Sequence, residues 1–285
     1  MEWQLELLTW IQSFKTPILD AFFLVVTASA EEFFFIAAAA WFMWCQNKQL
    51  AQRVGFAFLT STVFNPTLKE LFAVERPIGA YGIESMRVET APGYSFPSGH
   101  TQSATSFWFA AALGIKANWI RILAVVMISL VAFSRLYLGV HWFTDVIAGV
   151  FFGLLWVFAI DRFYSYCVKN NKLSLLWLVL LPFTIAYLLY PENKPLIVSF
   201  GASIGFLAGI QLEHRFIQFN VQGALWKKLV RFAIGLLILL LIKSGLKPIL
   251  PFNEALNDLI RYTCIGLWIT AGAPWLFQHI KPLND

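Results

Sequence analysis

Ten apolar segments follow one another along this 285-residue chain, and they limit what it can become more than any other feature. They run from Pro17 to Ala30, Glu32 to Cys45, Gly55 to Val74, Thr101 to Ile115, Trp119 to Tyr137, Trp142 to Ile160, Leu173 to Leu189, Pro195 to Leu212, Leu229 to Leu246 and Leu256 to Phe277. A helix needs about 20 residues to cross the hydrocarbon, so the first, second and fourth are short for a span. Alternation with a period of two is absent, which argues against a β-barrel. Helices are the remaining way to hydrogen-bond every backbone group in lipid. With 59% hydrophobic and only 13% charged residues, the expectation is an all-α polytopic membrane protein, six core helices followed by about four more.

The net charge of +5 does not point to nucleic acid, because the cations are scattered between apolar runs rather than gathered on one face. Counted on alternate connections, thirteen lysines and arginines fall on one side and eight on the other. Three of those eight, Lys69, Arg76 and Arg135, belong to polar clusters described below. The bias predicts cytoplasmic termini and clusters on the opposite face, the periplasmic one in a bacterial inner membrane. Cys45, Cys167 and Cys264 show no metal-ligand or redox spacing and read as small core residues. Residues 1–16 lack a basic start, so they are not a cleavable signal peptide, and Trp3, Leu5, Leu7, Leu8, Trp10 and Ile11 suggest an interfacial amphipathic helix.

Three clusters stand out from this apolar surround. Lys69 and Arg76-Pro77 close the third segment; the two cations are about two helical turns apart and would share a face of a continuous helix, while Pro77 disfavours a helical Arg76. On their own they read better as cations snorkelling at a helix end. Pro97-Ser98-Gly99-His100 opens the fourth segment with a residue that can cap and a glycine that admits close approach, features of an anion-binding helix N-terminus. Ser134-Arg135 closes the fifth segment, and His141 and Asp145 open the sixth. Four residues apart, the carboxylate sits one turn from the imidazole, can accept from one ring nitrogen and leaves the other lone pair free to attack. Ionisable residues at a span end beside an arginine are a functional signal.

Lys69 with Arg76-Pro77, Pro97-Ser98-Gly99-His100, and Ser134-Arg135 with His141 and Asp145 together resemble the tripartite signature of the type 2 phosphatidic acid phosphatase superfamily, with no signature position departing from it. The resemblance covers about Pro17 to Ile160. It implies that His141 is the nucleophile that takes the phosphoryl group as a phosphohistidine and that Asp145 holds its ring. His100 would protonate the leaving oxygen and later deprotonate the attacking water. Lys69, Arg76 and Arg135, with Ser98 and the Gly99 N–H, would cradle the phosphoryl oxygens. No metal or other cofactor is implied. Phosphoryl transfer needs much positioned positive charge and little covalent help, which such a set supplies.

The expected organisation is an interfacial helix over 1–16, a phosphatase core over 17–165 and additional transmembrane helices over 166–285, without a catalytic cluster of their own. The loop from Pro77 to Pro97 is long enough to serve as a lid or headgroup selector, or to be a passive interfacial loop. Asn65-Pro66 predicts a kink in the third segment. The favoured function is metal-independent hydrolysis of a lipid monophosphate or diphosphate, with phosphatidate, phosphatidylglycerophosphate, isoprenyl diphosphate and sphingoid phosphates as candidate substrates. A transporter or flippase of phosphorylated lipids and a lipid phosphotransferase are the alternatives. Expected partners are the phospholipid or isoprenoid phosphate and the bilayer, with no nucleic acid; a homo-oligomer stays open.

Overall fold

All ten apolar segments are helical in the computed structural model, which describes residues 2–280 and Leu283. The protein is an all-α polytopic membrane protein, and no strand occurs among the described residues. In chain order the helices are α1 (Glu2–Gln12), α2 (Pro17–Ala28), α3 (Glu32–Trp41), α4 (Lys48–Phe72), α5 (Gly99–Ile115), α6 (Asn118–Tyr137), α7 (Phe143–Lys169), α8 (Leu181–Leu189), α9 (Lys194–Leu212), α10 (Leu225–Gly245), α11 (Glu254–Leu267) and α12 (Ala273–His279). Wider π turns extend α3 through Phe42–Gln46 and α9 through Glu213–Ile217 and join α11 to α12 through Trp268–Gly272, while a 3-10 stretch, Leu173–Leu180, leads into α8.

Local chemistry fixes several of the starts. Thr16 Oγ1 accepts from Leu19 N at 3.3 Å ahead of Pro17, and Asn193 and Asn253 cap α9 and α11 through Leu196 N at 3.0 Å and Leu256 N at 2.9 Å. A side-chain oxygen there satisfies one of the orphan N–H groups of a first turn, and Pro in that turn has no N–H to satisfy. Among the described residues three helices are by themselves long and apolar enough to cross a membrane: α6, α7, and α9 with its π turn. α1 and α2 would pass together but bend by 116° between them. α4 and α10 have the length, 25 and 21 residues, but α4 carries Lys48, Gln52, Arg53, Asn65, Lys69 and Glu70 and α10 carries Lys227, Lys228, Arg231 and Lys243. The short segments read from the sequence are short helices too, 12 residues in α2, 10 in α3 and 17 in α5.

The chain divides into two compact units, Met1–Phe35 with Phe64–Ala159, and Ile36–Val63 with Ile160–Asp285. In the first, α5 packs on α6, α2 on α6, and α1 lays Leu8 and Ile11 against Leu136, Leu138, Val140 and Trp142 at the α6–α7 turn. Trp3 and Trp10 stay exposed. α5 and α7 approach closely at Gly149, where a Cβ would lie 2.8 Å from Ser98 O and 3.0 Å from Thr101 Cβ. A larger residue there would push apart the two helix starts that carry the second and third polar clusters.

The second unit has its own core, in which Met43, Trp44, Tyr262, Ile265, Ile269 and Phe277 are buried together. Trp44 Nε1 donates to Ile269 O at 2.8 Å, meeting the indole's need for a buried acceptor. α9 and α11 touch along small residues, the usual device for close helix packing in lipid. At Gly205, a Cβ would stand 2.9 Å from Leu267 N.

Candidate active site

The three clusters come together within the first unit. α4 ends at Phe72, followed by Ala73 at a positive φ of 48°, so the helix stops ahead of Arg76-Pro77, as the proline predicts, and the guanidinium is released into the loop. Lys69 stands in the last turn of α4, and its ammonium donates to Tyr94 O and, at 3.4 Å, to Ser95 O. Arg76 lies in the following loop and is fixed by carbonyls: Nε to Gly93 O at 2.8 Å, Nη2 to Pro92 O and Tyr94 O at 3.0 Å each, and Nη1 to Val140 O at 2.9 Å. Nη1 also lies 3.0 Å from His141 Nε2. Two of the clusters are thereby in direct contact.

That contact has a tautomeric consequence. A guanidinium only donates, so His141 Nε2 is the acceptor and the ring proton belongs on Nδ1. Nδ1 lies 3.2 Å from Asp145 Oδ2, and Ser95 Oγ is 3.3 Å away. Asp145 Oδ2 also accepts from Trp142 N at 2.7 Å and from the Ser95 hydroxyl, while Oδ1 is buried without a hydrogen-bond partner. His141 is 1% exposed. Its pKa is lowered well below the ordinary 6.5, first by burial and then by the positive charges of Arg76, Lys69 and Arg135. The ring is neutral near pH 7 and carries a lone pair on the nitrogen that faces away from the carboxylate. Burial also lowers Arg76, to about 10, which leaves it charged at neutral pH.

Ser98 is at the start of α5, but its side chain makes no capping bond; its hydroxyl accepts from Thr101 Oγ1 at 3.0 Å instead. Its N–H donates to Asp145 O at 2.9 Å, tying the start of α5 to the first turn of α7. Gly99 opens α5 against Asn65, whose Oδ1 would be 3.2 Å from any Cβ added there. Asn65, next to Pro66 within α4, donates Nδ2 to Pro97 O at 3.3 Å and to Gln102 Oε1 at 2.8 Å. His100 Nε2 is buried with no partner. Arg135 is wholly buried; Nη1 donates to Thr27 Oγ1 at 2.7 Å, and Nε and Nη2 have no partner. Buried polar groups of this kind are costly unless satisfied, so orphaned nitrogens on one arginine and one histidine mark a place where an anion would be stabilised.

Several contributors carry no sequence signal of their own. Thr27 sits in the last turn of an apolar helix, and Ser95 precedes the second cluster by two residues. The loop from Pro77 to Pro97 is pinned to the same region: Ser85 Oγ donates to Gly139 O at 2.8 Å, Met86 N to Leu138 O at 3.0 Å, and Arg87 Nη2 to Glu31 Oε1 at 2.7 Å. Gln12 Nε2 bridges Glu84 O at 2.9 Å and Tyr137 O at 3.0 Å.

Residues 50–171 match the family model of the PAP2 superfamily, and residues 197–284 match the model described as PAP2 superfamily phosphatase, transmembrane extension. Phosphatidylglycerophosphatase B of Bacillus subtilis is 34% identical over 120 residues, 37% of this chain and 54% of that protein. Lipid phosphate phosphatase delta of Arabidopsis thaliana is 21% identical over 239 residues, 75% of this chain and 56% of the relative. The chain spans about half the length of these curated relatives. The crystal structure of Aquifex aeolicus LpxE superposes with a TM-score of 0.50 at 24% identity, covering 55% of this chain and 93% of that one, a likeness of fold. With both the phosphatase model and its membrane extension matched in order along it, the chain belongs to the PAP2 superfamily.

Proposed function

We propose that the protein is a membrane-embedded phosphatase that removes phosphate from a lipid monophosphate or diphosphate. The observation that carries the reading is the group of buried nitrogens without partners, the Arg135 donors Nε and Nη2 and the ring nitrogen His100 Nε2, gathered with a neutral His141 whose other nitrogen is held by Asp145. Fixed positive charge aimed at the equatorial oxygens is the main demand of phosphoryl transfer. The relatives' names support the class: they include phosphatidylglycerophosphatase, undecaprenyl-diphosphatase, dihydrosphingosine 1-phosphate phosphatase and lipid A 4'-phosphatase. These differ in lipid and share a phosphate on an apolar tail.

In the proposed reaction the His141 Nε2 lone pair attacks phosphorus and the P–O bond to the leaving group breaks. His100 gives its proton to the departing oxygen. The phosphohistidine carries a positive ring that Asp145 stabilises through Nδ1–H. Water, deprotonated by His100, then attacks phosphorus; the N–P bond breaks, inorganic phosphate leaves and both histidines return to their starting forms. Lys69, Arg76, Arg135, Ser98 and the Gly99 N–H hold the oxygens throughout. Arg76, already 3.0 Å from His141 Nε2, is the cation that would follow the lone pair onto the phosphoryl group.

Residues 17–165 form the proposed catalytic core and 166–285 its membrane extension. The cation bias of the connections supports cytoplasmic termini and a site on the periplasmic face. The test is phosphate release by purified protein from a panel of lipid monophosphates and diphosphates in detergent micelles, with vanadate as inhibitor. Vanadate-sensitive release that His141→Ala eliminates is expected; transport of the lipid without hydrolysis would overturn the reading.

A further inference from the structure

A groove of about 750 Å³ runs between α5, α6 and α7 of the first unit. Pockets of about 300–1,000 Å³ hold ligands of this order of size. Its wall is almost wholly apolar, with Phe109, Val125, Ile128, Ile147, Val150 and Leu154 along it. Val125 and Ile147 are 65% and 52% exposed, so the wall is open to whatever surrounds these membrane helices. Its charged lining residues are Lys116, which ends α5, and Arg121, in the first turn of α6.

Both cations therefore stand at the α5–α6 connection, at the far ends of those helices from His100 and Arg135. No carboxylate lines the groove. Among the described residues Lys116 makes no ion pair, and the hydrogen bond of the Arg121 guanidinium is to a neutral acceptor, Asn118 Oδ1 at 3.3 Å. Trp119, 61% exposed, sits between them, the type of residue that anchors a helix at headgroup level.

We propose that this groove binds an intact anionic phospholipid, with one acyl chain against the apolar wall and the phosphate held by Lys116 and Arg121. Charge complementarity favours this occupant over a neutral lipid, because two cations without a carboxylate define the mouth, and the planar guanidinium presents several donors suited to phosphate. Position argues against the tail of a reacting substrate with its phosphate at the same mouth. Arg121 and Arg135 lie on one helix, and at 1.5 Å per residue they are about 21 Å apart. A phosphate at Arg121 cannot also be at His141, so the bound lipid belongs to the opposite membrane face and is not consumed.

The experiment is native mass spectrometry of the full chain, delipidated and then offered equal amounts of dioleoyl phosphatidylglycerol, dioleoyl phosphatidylcholine and dioleoylglycerol. Wild-type protein is expected to retain one phosphatidylglycerol with roughly tenfold preference over phosphatidylcholine. Lys116→Gln with Arg121→Gln should abolish the preference while leaving the circular dichroism spectrum unchanged. Ile128→Trp, which narrows the wall without touching charge, should lower retention of all three lipids. Unchanged phosphatidylglycerol preference in the double variant, or dioleoylglycerol held as well as phosphatidylglycerol by wild type, would overturn the proposal. Lipid retention rather than turnover is read, so this result and that of the phosphatase assay are independent.

Discussion

The two units treat buried charge differently. In the second, Glu213 accepts from Lys48 at 2.6 Å, Gln52 at 3.3 Å and Phe219 N at 3.0 Å, and Arg53 meets both oxygens of Asp161 at 2.5 and 2.7 Å. Arg261 Nη2 donates to Asp258 Oδ1 at 2.5 Å and the Lys194 ammonium lies 3.7 Å from Asp258 Oδ2, so the Arg261 charge is matched although its Nε has no hydrogen-bond partner. In the first unit, Arg135 is equally buried yet uses a single hydroxyl, Thr27, and points two more donors at no protein partner. Ion pairing of the first kind sets how helices pack. Donors left unmatched beside a neutral histidine are what a reaction centre for an oxyanion requires.

The contrast can be broken by substitutions on either side. The largest expected effect is His141→Ala, a loss of about a thousandfold or more in kcat with the melting temperature preserved, measured by phosphate release and thermal unfolding. Retained turnover would end the assignment of the first unit as the catalytic one. Arg53→Ala should do the converse: stability falls by about 2 kcal/mol because Asp161 loses its partner, discounted for the part of the pair that water reaches, while the folded fraction keeps its kcat. Denaturant titration beside the activity assay separates the two effects.

A smaller change sharpens the reading of Arg135. Thr27→Val removes the acceptor of Nη1 without changing side-chain size and should lower kcat/KM about tenfold, the order of one hydrogen bond to a charged group. Thr27→Ser should restore most of it; equal losses in both variants would indicate packing rather than aim. The smallest effect is in pH. His141 is held neutral, so its lone pair is available above its lowered pKa and the acid limb of kcat/KM should lie below the ordinary 6.5, while the proton that His100 must carry to the leaving oxygen gives the profile a separate alkaline limb. Stability has the same sign: the unfolded histidine takes up a proton more readily, so this contribution is full above about 6.5 and is lost as the solution is acidified. Arg76→Gln removes one cause of the lowering and should move the acid limb upward in the residual pH profile.

Much of the helical layout and the three clusters could be read directly, because apolar length and ordered polar spacing are properties of the linear chain. The supports could not. Thr27 is one hydroxyl in an apolar helix, and Ser95 gains its meaning only when the loop brings it 3.3 Å from His141 Nδ1. That Arg76 leaves the helix is legible from Pro77, and α4 stops at Phe72; the ring of carbonyls from Pro92, Gly93, Tyr94 and Val140 that holds the guanidinium is not. Ser98 reads as a cap and instead accepts from Thr101. The ring around Arg76 comes from tertiary hydrogen bonding, whereas the Thr101–Ser98 bond is local, three residues along the chain, and takes the place of the cap. The division into two units is less visible, since its boundaries fall inside the continuous helices α3, α4 and α7.

The amides of α1 have a practical consequence. Gln4 Oε1 accepts from Thr144 N at 3.0 Å, one residue before Asp145, and Gln12 clasps the carbonyl of Tyr137 just before the α6–α7 turn. A shortened version of this protein starting after Phe14 would keep every proposed reactive group and still lose the two braces that set their aim. Trimming or fusing at that terminus is therefore itself a perturbation of the proposed site.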